Sequence, residues 1–265
     1  MKYYRFLQTS SAEVPEWLEE RTDFFILADD EGASWLYLPL ASTQEAQRLV
    51  ETIPFFSKFE EMDINDNVDW GVQWSTHSPD FKDYQLQVDL SKYTSLSEPV
   101  PTLYLDAGPG FGDLSHPTTR LTLAMMASHV KGKDVVDIGC GSGILTLAAL
   151  LLGANSACGI DIDPEALAHA KGNAVLNGLE VVFQKPEDFS AIPSANTVIL
   201  MNMIRSQQEA AWASLPQLHG KSLLCFTSGV LASEKEVYRR ECLARGWQLI
   251  QEQQQGDWMG FQWRT

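Results

Sequence analysis

The sequence is poor in cysteine, in basic residues and in long apolar runs. Its 265 residues include four cysteines, and none of these has the C-x-x-C spacing of a zinc site or a redox pair. We therefore expect reduced thiols and no metal. Acidic residues outnumber basic ones by 35 to 19, which gives a formal net charge of −16. This charge disfavours binding by phosphate neutralisation and suits a basic partner, although it also simply keeps a soluble protein dispersed.

No stretch of the sequence has the length and apolarity of a membrane span. The longest apolar stretch, residues 144–159, is interrupted by Thr146, Gly153, Asn155 and Ser156, whereas a spanning helix needs about 20 apolar residues. The first residues, Met1–Arg5, lack the apolar core of a signal peptide. Together with the thiols, these features predict a cytoplasmic protein with no membrane partner.

The first 65 residues alternate short strand-like and helix-like pieces. Ser42 precedes Glu45 by three residues, the spacing of a capping box. The β-α-β-β-α-β order predicts a small ferredoxin-like α+β domain over residues 1–65, followed by a linker over 66–100. Strands are predicted at 3–8, 23–28, 34–39 and 56–64, helices at 11–21 and 42–53, and a turn at 29–32.

In residues 101–265 the predicted strands and helices alternate along the chain. This pattern predicts a mostly parallel sheet covered on both faces, with the last two strands antiparallel at one edge. The expected fold class is α/β with a Rossmann-like sheet. Strands are predicted at 134–138, 156–160, 180–184, 197–201, 222–227, 247–252 and 258–263, and helices at 118–130, 144–152, 164–177, 207–215 and 233–245.

A glycine-rich turn between a strand and a helix is the sharpest signal. The apolar strand 134–138 runs into Gly139, Gly141 and Gly143, and a helix opens at once. Glycines allow positive φ and the close approach of a ligand, and the free N–H groups of a helix start suit a negative group. Asp161 lies 22 residues after Gly139, at the tip of the next strand. A carboxylate there can accept hydrogen bonds from two ribose hydroxyls, so the pattern predicts an adenosine-like ligand.

The glycine spacing distinguishes two classes of cofactor. Dinucleotide sites have G-x-G-x-x-G, whereas this turn has G-x-G-x-G with Asp137 two residues before it. An acidic side chain beside the turn would repel a pyrophosphate and attract the ammonium of a methionine moiety. The pattern therefore favours S-adenosylmethionine, with a nicotinamide cofactor and a turn without any ligand as alternatives.

Two further segments follow strands of the same predicted sheet. Glu187 and Phe189 come after the third strand, where they would contact the amino group and the ring of an adenine, or form a solvated loop. Asn202 ends the fourth strand. The carboxyl ends of parallel strands are where open α/β sheets bind their ligands, although the Asn202 amide could instead cap residues 203–206.

Several segments resemble the PrmA family of class I methyltransferases. They are Leu105–Gly112, His116–Thr119, Asp137–Gly143, Gly159–Pro164 and, more loosely, Ser228–Leu231. Members of that family use S-adenosylmethionine to methylate ribosomal protein L11, and they carry a small N-terminal ferredoxin-like domain that docks the substrate. The resemblance implies an N-methyltransferase acting on a protein amine, above all that of a large-subunit ribosomal protein. A direct nucleic-acid substrate is not expected.

The resemblance implies that Thr119, Gly139, Asp161 and Asn202 contact the cofactor and that Phe111 and Gly112 cover it. Further roles follow from the chemistry of the residues. Asn202 has a carbonyl that can accept from an incoming amine, and His116 either takes a proton from it or braces the loop, so these two are the catalytic candidates. The residues predicted to bind the cofactor are Phe111, Gly112, Thr119, Asp137, Gly139, Gly141, Gly143, Asp161, Glu187 and Asn202.

Two departures from the family pattern lie where the acceptor would approach. Asp113 and Leu114 stand where the family has a threonine–glycine pair, and a more polar turn, 205–208, follows Asn202. These changes keep two other hypotheses open. One is a methyltransferase for a different protein lysine or a small molecule, and the other is a protein that binds the cofactor without catalysis.

Overall fold

The structure is a computed structural model that describes residues 2–9, 25–28, 33–62, 70–78, 80–94, 102–190, 194–221 and 223–265. The chain divides into two compact units, Met1–Val68 and Asp69–Thr265. The helix predicted at 11–21 and the turn predicted at 29–32 lie outside the described residues. Within the described ranges, no helix is long and apolar enough to cross a membrane.

The smaller unit is a four-stranded antiparallel sheet with a helix between its last two strands. Alternate residues of the strands are buried, as the two-residue period of a strand requires; Tyr4, Phe6, Leu36 and Leu38 are 0% exposed. The strand order, β2-β3-β1-β4, is the ferredoxin-like order that the sequence predicts. The elements are β1 (Lys2–Gln8), β2 (Phe25–Ala28), β3 (Ser34–Leu40), α1 (Thr43–Thr52) and β4 (Phe56–Met62).

Helix α1 begins at the predicted cap. The Ser42 hydroxyl accepts from the Glu45 N–H at 3.3 Å, and the Glu45 carboxylate accepts from the Ala41 N–H at 3.1 Å. The reach of Glu45 to residue 41 rather than 42 differs slightly from a standard capping box. Both bonds satisfy N–H groups at the start of the helix.

Residues 70–94 fall within the predicted linker, and in the structure they pack as part of the larger unit. Trp74, Leu86 and Leu90 are buried in the same apolar cluster as Val135 and Leu145 of the larger sheet domain. They form a short helix and two antiparallel strands, which a third strand from residues 103–106 extends to a three-stranded sheet. These elements are α2 (Trp70–His77), β5 (Phe81–Lys82), β6 (Gln85–Val88) and β7 (Leu103–Asp106).

The larger unit is built on a seven-stranded sheet of order β10-β9-β8-β11-β12-β14-β13. The first five strands are parallel, and β14 is antiparallel to both β12 and β13, which confirms the predicted Rossmann-like arrangement. The strands are β8 (Asp134–Ile138), β9 (Ser156–Ile160), β10 (Val182–Gln184), β11 (Thr197–Asn202), β12 (Leu224–Leu231), β13 (Gln248–Gln255) and β14 (Trp258–Arg264).

Helices cover both faces of this sheet. Val198 and Leu200 of β11 belong to one buried cluster, whereas Ile199 and Met201 belong to the other, so the strand is apolar on both sides as a central parallel strand must be. The helices are α3 (Pro117–Met126), α4 (Ile144–Leu151), α5 (Pro164–Leu176), α6 (Arg205–Ala213) and α7 (Lys235–Ala244).

We expect Phe6→Ala to destabilise the smaller unit by about 3–5 kcal/mol, the usual cost of truncating a buried aromatic side chain. Phe6 is 0% exposed in the core of that unit. Amide hydrogen exchange should accelerate at 35–40 and 56–62 and stay unchanged at 134–138. Equal acceleration in both units would contradict the division of the chain at residue 68.

Candidate active site

The strands β8, β9 and β11 end at the same edge of the sheet, where a cavity of about 700 Å³ opens. Parallel strands that neighbour one another bring their carboxyl ends together, and open α/β sheets bind ligands there. Among the predicted site residues, those that line the cavity are Phe111, His116, Gly139, Gly141, Asp161 and Asn202.

The other predicted residues are placed differently. Thr119 and Asp137 are 0% exposed and do not line the cavity. Gly143 begins helix α4 and packs on protein, since a Cβ there would lie 3.1 Å from Ala170 and Phe183. Glu187 lies exposed in a short 3₁₀ turn, and Pro186 lines the cavity instead.

The glycine turn is in direct contact with the loop that covers the cavity. Gly141 has φ +53°, and a Cβ on it would lie 2.4 Å from the Phe111 carbonyl oxygen, so only glycine fits. The Phe111 carbonyl accepts from the Ser142 N–H at 2.9 Å. The Gly112 carbonyl accepts from the Ser142 hydroxyl at 3.0 Å. The predicted cover residues are therefore bonded to the predicted cofactor turn.

Two side chains of α5 fix the other side of this loop, and sequence reasoning missed both. Asn173 accepts from the Asp106 N–H at 3.0 Å and donates to the Ser142 carbonyl at 2.9 Å. His169 accepts from the Gly110 N–H through Nδ1 at 3.1 Å, and its Nε2 lies 2.8 Å from the Asp106 carbonyl. Burial lowers the pKa of His169, which keeps Nδ1 free to accept. The sequence did offer one signal, because the i, i+4 spacing of His169 and Asn173 places them on the same face of a helix.

Asp161 connects the glycine turn to the start of α5. One carboxylate oxygen accepts from the Gly141 N–H at 2.9 Å, and the other accepts from the Asp163 N–H at 3.1 Å. A carboxylate has about four acceptor positions. Because Asp161 also lines the cavity, acceptor capacity remains for hydroxyl groups of a ligand.

Two buried side-chain oxygens near the carboxyl edge of the sheet lack a partner among the described residues; Asn202 lines the cavity, whereas Asp137 does not. Asp137 Oδ2 accepts from the Thr146 hydroxyl at 2.6 Å, and Asn202 donates to the Thr119 hydroxyl at 3.4 Å. The remaining atoms, Asp137 Oδ1 and Asn202 Oδ1, make no hydrogen bond within the described part of the chain. Buried polar groups are normally paired, so such oxygens indicate a site that a ligand completes.

His116 caps helix α3. Its Nδ1 accepts from the Thr118 N–H at 3.4 Å and lies 2.8 Å from the Thr118 hydroxyl. Its ring contacts Trp258 at 4.7 Å and Phe111 at 5.6 Å between centroids, both edge-on. All three rings line the cavity. Trp258 was not predicted, because it comes from β14, more than a hundred residues away in sequence.

The altered loop after Phe111 is folded into the protein. Leu114 is 2% exposed and has φ +64°, a conformation that costs most residues about 1 kcal/mol or more. Arg120 donates to the Leu114 and Ser115 carbonyls, and Ser78 donates to the Asp113 carbonyl at 2.6 Å. These bonds hold residues 113–115 outside the cavity lining.

The main chain of the turn after Asn202 packs directly on the main chain of β12. Gly229 has φ +90°, and a Cβ on it would lie 2.2 Å from the Met203 carbonyl oxygen. Met203 in turn touches Gly139 with its terminal methyl. Of the polar residues that follow, Arg205 pairs with Glu234 and Glu241 at 2.9 Å.

The sequence profile of the family described as "Ribosomal protein L11 methyltransferase (PrmA)" matches residues 41–265. The chain belongs to the PrmA family. A relative from Hahella chejuensis named ribosomal protein L11 methyltransferase is 39% identical over 67% of this chain and 61% of its own length. A Pasteurella multocida relative of the same name is 34% identical over 72% of this chain and 64% of its own. This PrmA-family chain thus spans about three fifths of the length of these relatives.

A solved structure has the same fold as this PrmA-family chain. It is described as a ribosomal protein L11 methylase from Lactobacillus delbrueckii subsp. bulgaricus. It is 25% identical to this chain, with a TM-score of 0.54, and the match covers 67% of this chain and 97% of the other. The likeness places this PrmA-family chain on a class I methyltransferase fold.

We expect Asp137→Asn to stabilise the ligand-free protein at pH 8. Burial raises the pKa of Asp137 to about 7, so the folded state must bury a charge at higher pH. This cost is missing below the ordinary carboxyl pKa near 4, grows between pH 4 and the folded-state pKa of about 7, and is constant above it. The variant should gain roughly 1–4 kcal/mol at pH 8 in urea unfolding, and the gain should vanish near pH 4.

The matched control is Asp134→Asn at the opposite end of β8, where Asp134 accepts from the Ser156 hydroxyl at 2.8 Å. This control should not reproduce the stabilisation at pH 8. A gain of the same size in both variants, or none for Asp137→Asn at pH 8, would contradict a costly buried charge.

Proposed function

We propose that this chain is an S-adenosylmethionine-dependent N-methyltransferase whose acceptor is a protein amine, namely that of a large-subunit ribosomal protein. Membership of the PrmA family supports the reaction class. The observation that carries the proposal is a pair of buried oxygens, Asp137 Oδ1 and Asn202 Oδ1, that have no partner among the described residues at the carboxyl edge of the sheet. They provide separate acceptors for the donor and for the incoming amine.

The residues at the edge of the sheet match the chemical groups of S-adenosylmethionine. Asp161 offers acceptor positions to ribose hydroxyls, and the Gly139–Gly141 main chain leaves room for an amino-acid tail. Asp137 would accept from the ammonium of that tail, and the ligand's charge would offset the cost of the buried carboxylate. When bound, the cofactor supplies a methyl group activated by its sulfonium.

The residues around Asn202 fit an amine acceptor. The Asn202 carbonyl can accept from the amine N–H and orient its lone pair, and alignment is the main requirement of an in-line transfer. Phe111, His116 and Trp258 form an aromatic wall of the cavity, which would favour cationic groups. Since His116 Nδ1 already accepts from Thr118, we assign His116 to the wall and to the helix cap rather than to proton abstraction.

The charge of the chain suits a basic protein partner, because an acidic surface raises the encounter rate with a basic one. The formal net charge is −16. We propose that the smaller unit, which follows the ferredoxin-like order, docks the substrate. Ribosomal proteins are basic in general, so the charge pattern agrees with the acceptor class inferred from the family.

We expect methyl-labelled S-adenosylmethionine to label one large-subunit protein in a cell extract that contains ribosomes. Asn202→Ala should lower the initial rate about 10-fold or more, because it removes the acceptor for a desolvated amine N–H. Asn155→Ala, an exposed site that bonds the Gly132 carbonyl, should label normally. Gel autoradiography followed by mass spectrometry identifies the product.

Other outcomes of the same assay separate the competing functions. Calorimetric binding of the donor without labelled product would indicate a cofactor-binding protein without catalysis. Label confined to small molecules or to a non-ribosomal protein would overturn the proposed acceptor and keep the reaction class.

We expect Asp161→Ala to weaken S-adenosylmethionine binding about 10- to 100-fold, since hydrogen bonds to a charged group contribute about 1.5–3 kcal/mol. Isothermal titration measures the dissociation constant directly. Asp134→Ala, at the amino end of the neighbouring strand, is the control and should bind normally. Undiminished affinity of Asp161→Ala would rule out the ribose-binding role.

A further inference from the structure

A row of four buried polar side chains lies behind the turn that carries Asn202. Trp263, Thr227, Tyr238 and Gln208 are each at most 1% exposed. The Trp263 indole N–H donates to the Thr227 hydroxyl oxygen at 3.1 Å. The Tyr238 hydroxyl lies 2.8 Å from Thr227 Oγ1 and 2.5 Å from Gln208 Oε1. The row leads from β14 to the start of α6.

The hydrogen-bond partners of Gln208 fix the orientation of its amide. Gln208 Nε2 lies 2.8 Å from the Met203 carbonyl and 3.0 Å from the Ser228 carbonyl. Carbonyls only accept, so the amide must present its two N–H donors to them and its oxygen to Tyr238. The Tyr238 hydroxyl can donate to Gln208 Oε1 or to Thr227 Oγ1, and its one hydrogen serves one of them at a time. A flip of the Gln208 amide would place its oxygen against two carbonyl oxygens.

The two carbonyls that Gln208 bonds lie on two main-chain segments that pack directly on each other, where Gly229 meets Met203. Met203 follows Asn202 at the end of β11, and Ser228 precedes the bulge at Gly229 in β12. Met203 and Gly229 line the cavity. Gln208 is thus a bridge that fixes the separation of the Asn202 turn from the neighbouring strand.

We infer that Gln208, oriented by Tyr238, is a positioning residue for methyl transfer. It holds the Met203 carbonyl and thereby sets where the Asn202 oxygen meets the acceptor amine. This inference rests on the proposed function, because alignment matters only if an amine is methylated there. Displacements of about 1 Å in an aligned site can lower a rate about 100-fold.

Hydrogen exchange tests the bridge independently of activity. In Gln208→Leu and Tyr238→Phe, amides of residues 203–207 should exchange about 10-fold faster than in the wild type, because the turn loses its attachment to β12. Gln262→Leu is the matched control, since Gln262 is 6% exposed in β14 and contacts His129 instead. Unchanged exchange of the amides of residues 203–207 in Gln208→Leu would overturn the inference.

Kinetics test whether the turn matters for transfer. Gln208→Leu should lower kcat about 10- to 100-fold, while the dissociation constant of S-adenosylmethionine by calorimetry changes less than 2-fold. Faster exchange with an unaltered kcat would also overturn the inference. A wild-type protein that binds the donor but labels no acceptor would instead refute the proposed function and, with it, a positioning role in transfer.

Gln208→Glu tests whether Gln208 acts through its hydrogen bonds or only by filling space. A protonated carboxyl keeps one donor for a carbonyl and one acceptor for Tyr238, whereas a carboxylate would face two carbonyl oxygens. The ratio of variant to wild-type kcat should therefore fall as the pH rises through the pKa of the introduced carboxyl. The same ratio for Gln208→Leu should be flat. A flat ratio for Gln208→Glu would count against the directional bridge.

Discussion

At the carboxyl edge of the large sheet, main chain packs directly on main chain, and the rest of the site depends on these contacts. Gly141 lies against the Phe111 carbonyl, and Gly229 lies against the Met203 carbonyl. Any Cβ at either position would collide with backbone atoms, which cannot rotate away as a side chain can. The two contacts fix the cover loop on one side of the cavity and the Asn202 turn on the other.

Buried polar groups around this edge are of two kinds. In Gln208 and Tyr238, every side-chain nitrogen and oxygen has a hydrogen-bond partner. Asp137 and Asn202 each keep one oxygen without a partner in the described structure. The first kind holds the geometry of the cavity, and the second kind makes the ligand-free protein less stable than it could be. Such local cost is common where a ligand supplies the missing partner.

The sequence predicted the central strands well, because their signals are local. The strands 134–138 and 156–160 have the predicted bounds, since each is a short apolar run bounded by glycine or polar residues. Strand β12 was predicted to end at residue 227 and runs to Leu231. Ser228–Gly229 has the composition of a turn, but pairing with β14 across a bulge at Gly229 extends the strand.

The sequence by itself determined the α/β class, the glycine turn and the acidic tip at Asp161, because each follows from residues close together in the chain. It also located Asn202 at the end of its strand. Only the tertiary structure decided that Trp258 lies beside His116, that His169 bonds the Gly110 N–H and that Gln208 bonds the Met203 carbonyl. These contacts join residues far apart in sequence, and hydrogen-bond direction and backbone clearance exist only once the sheet has brought them together.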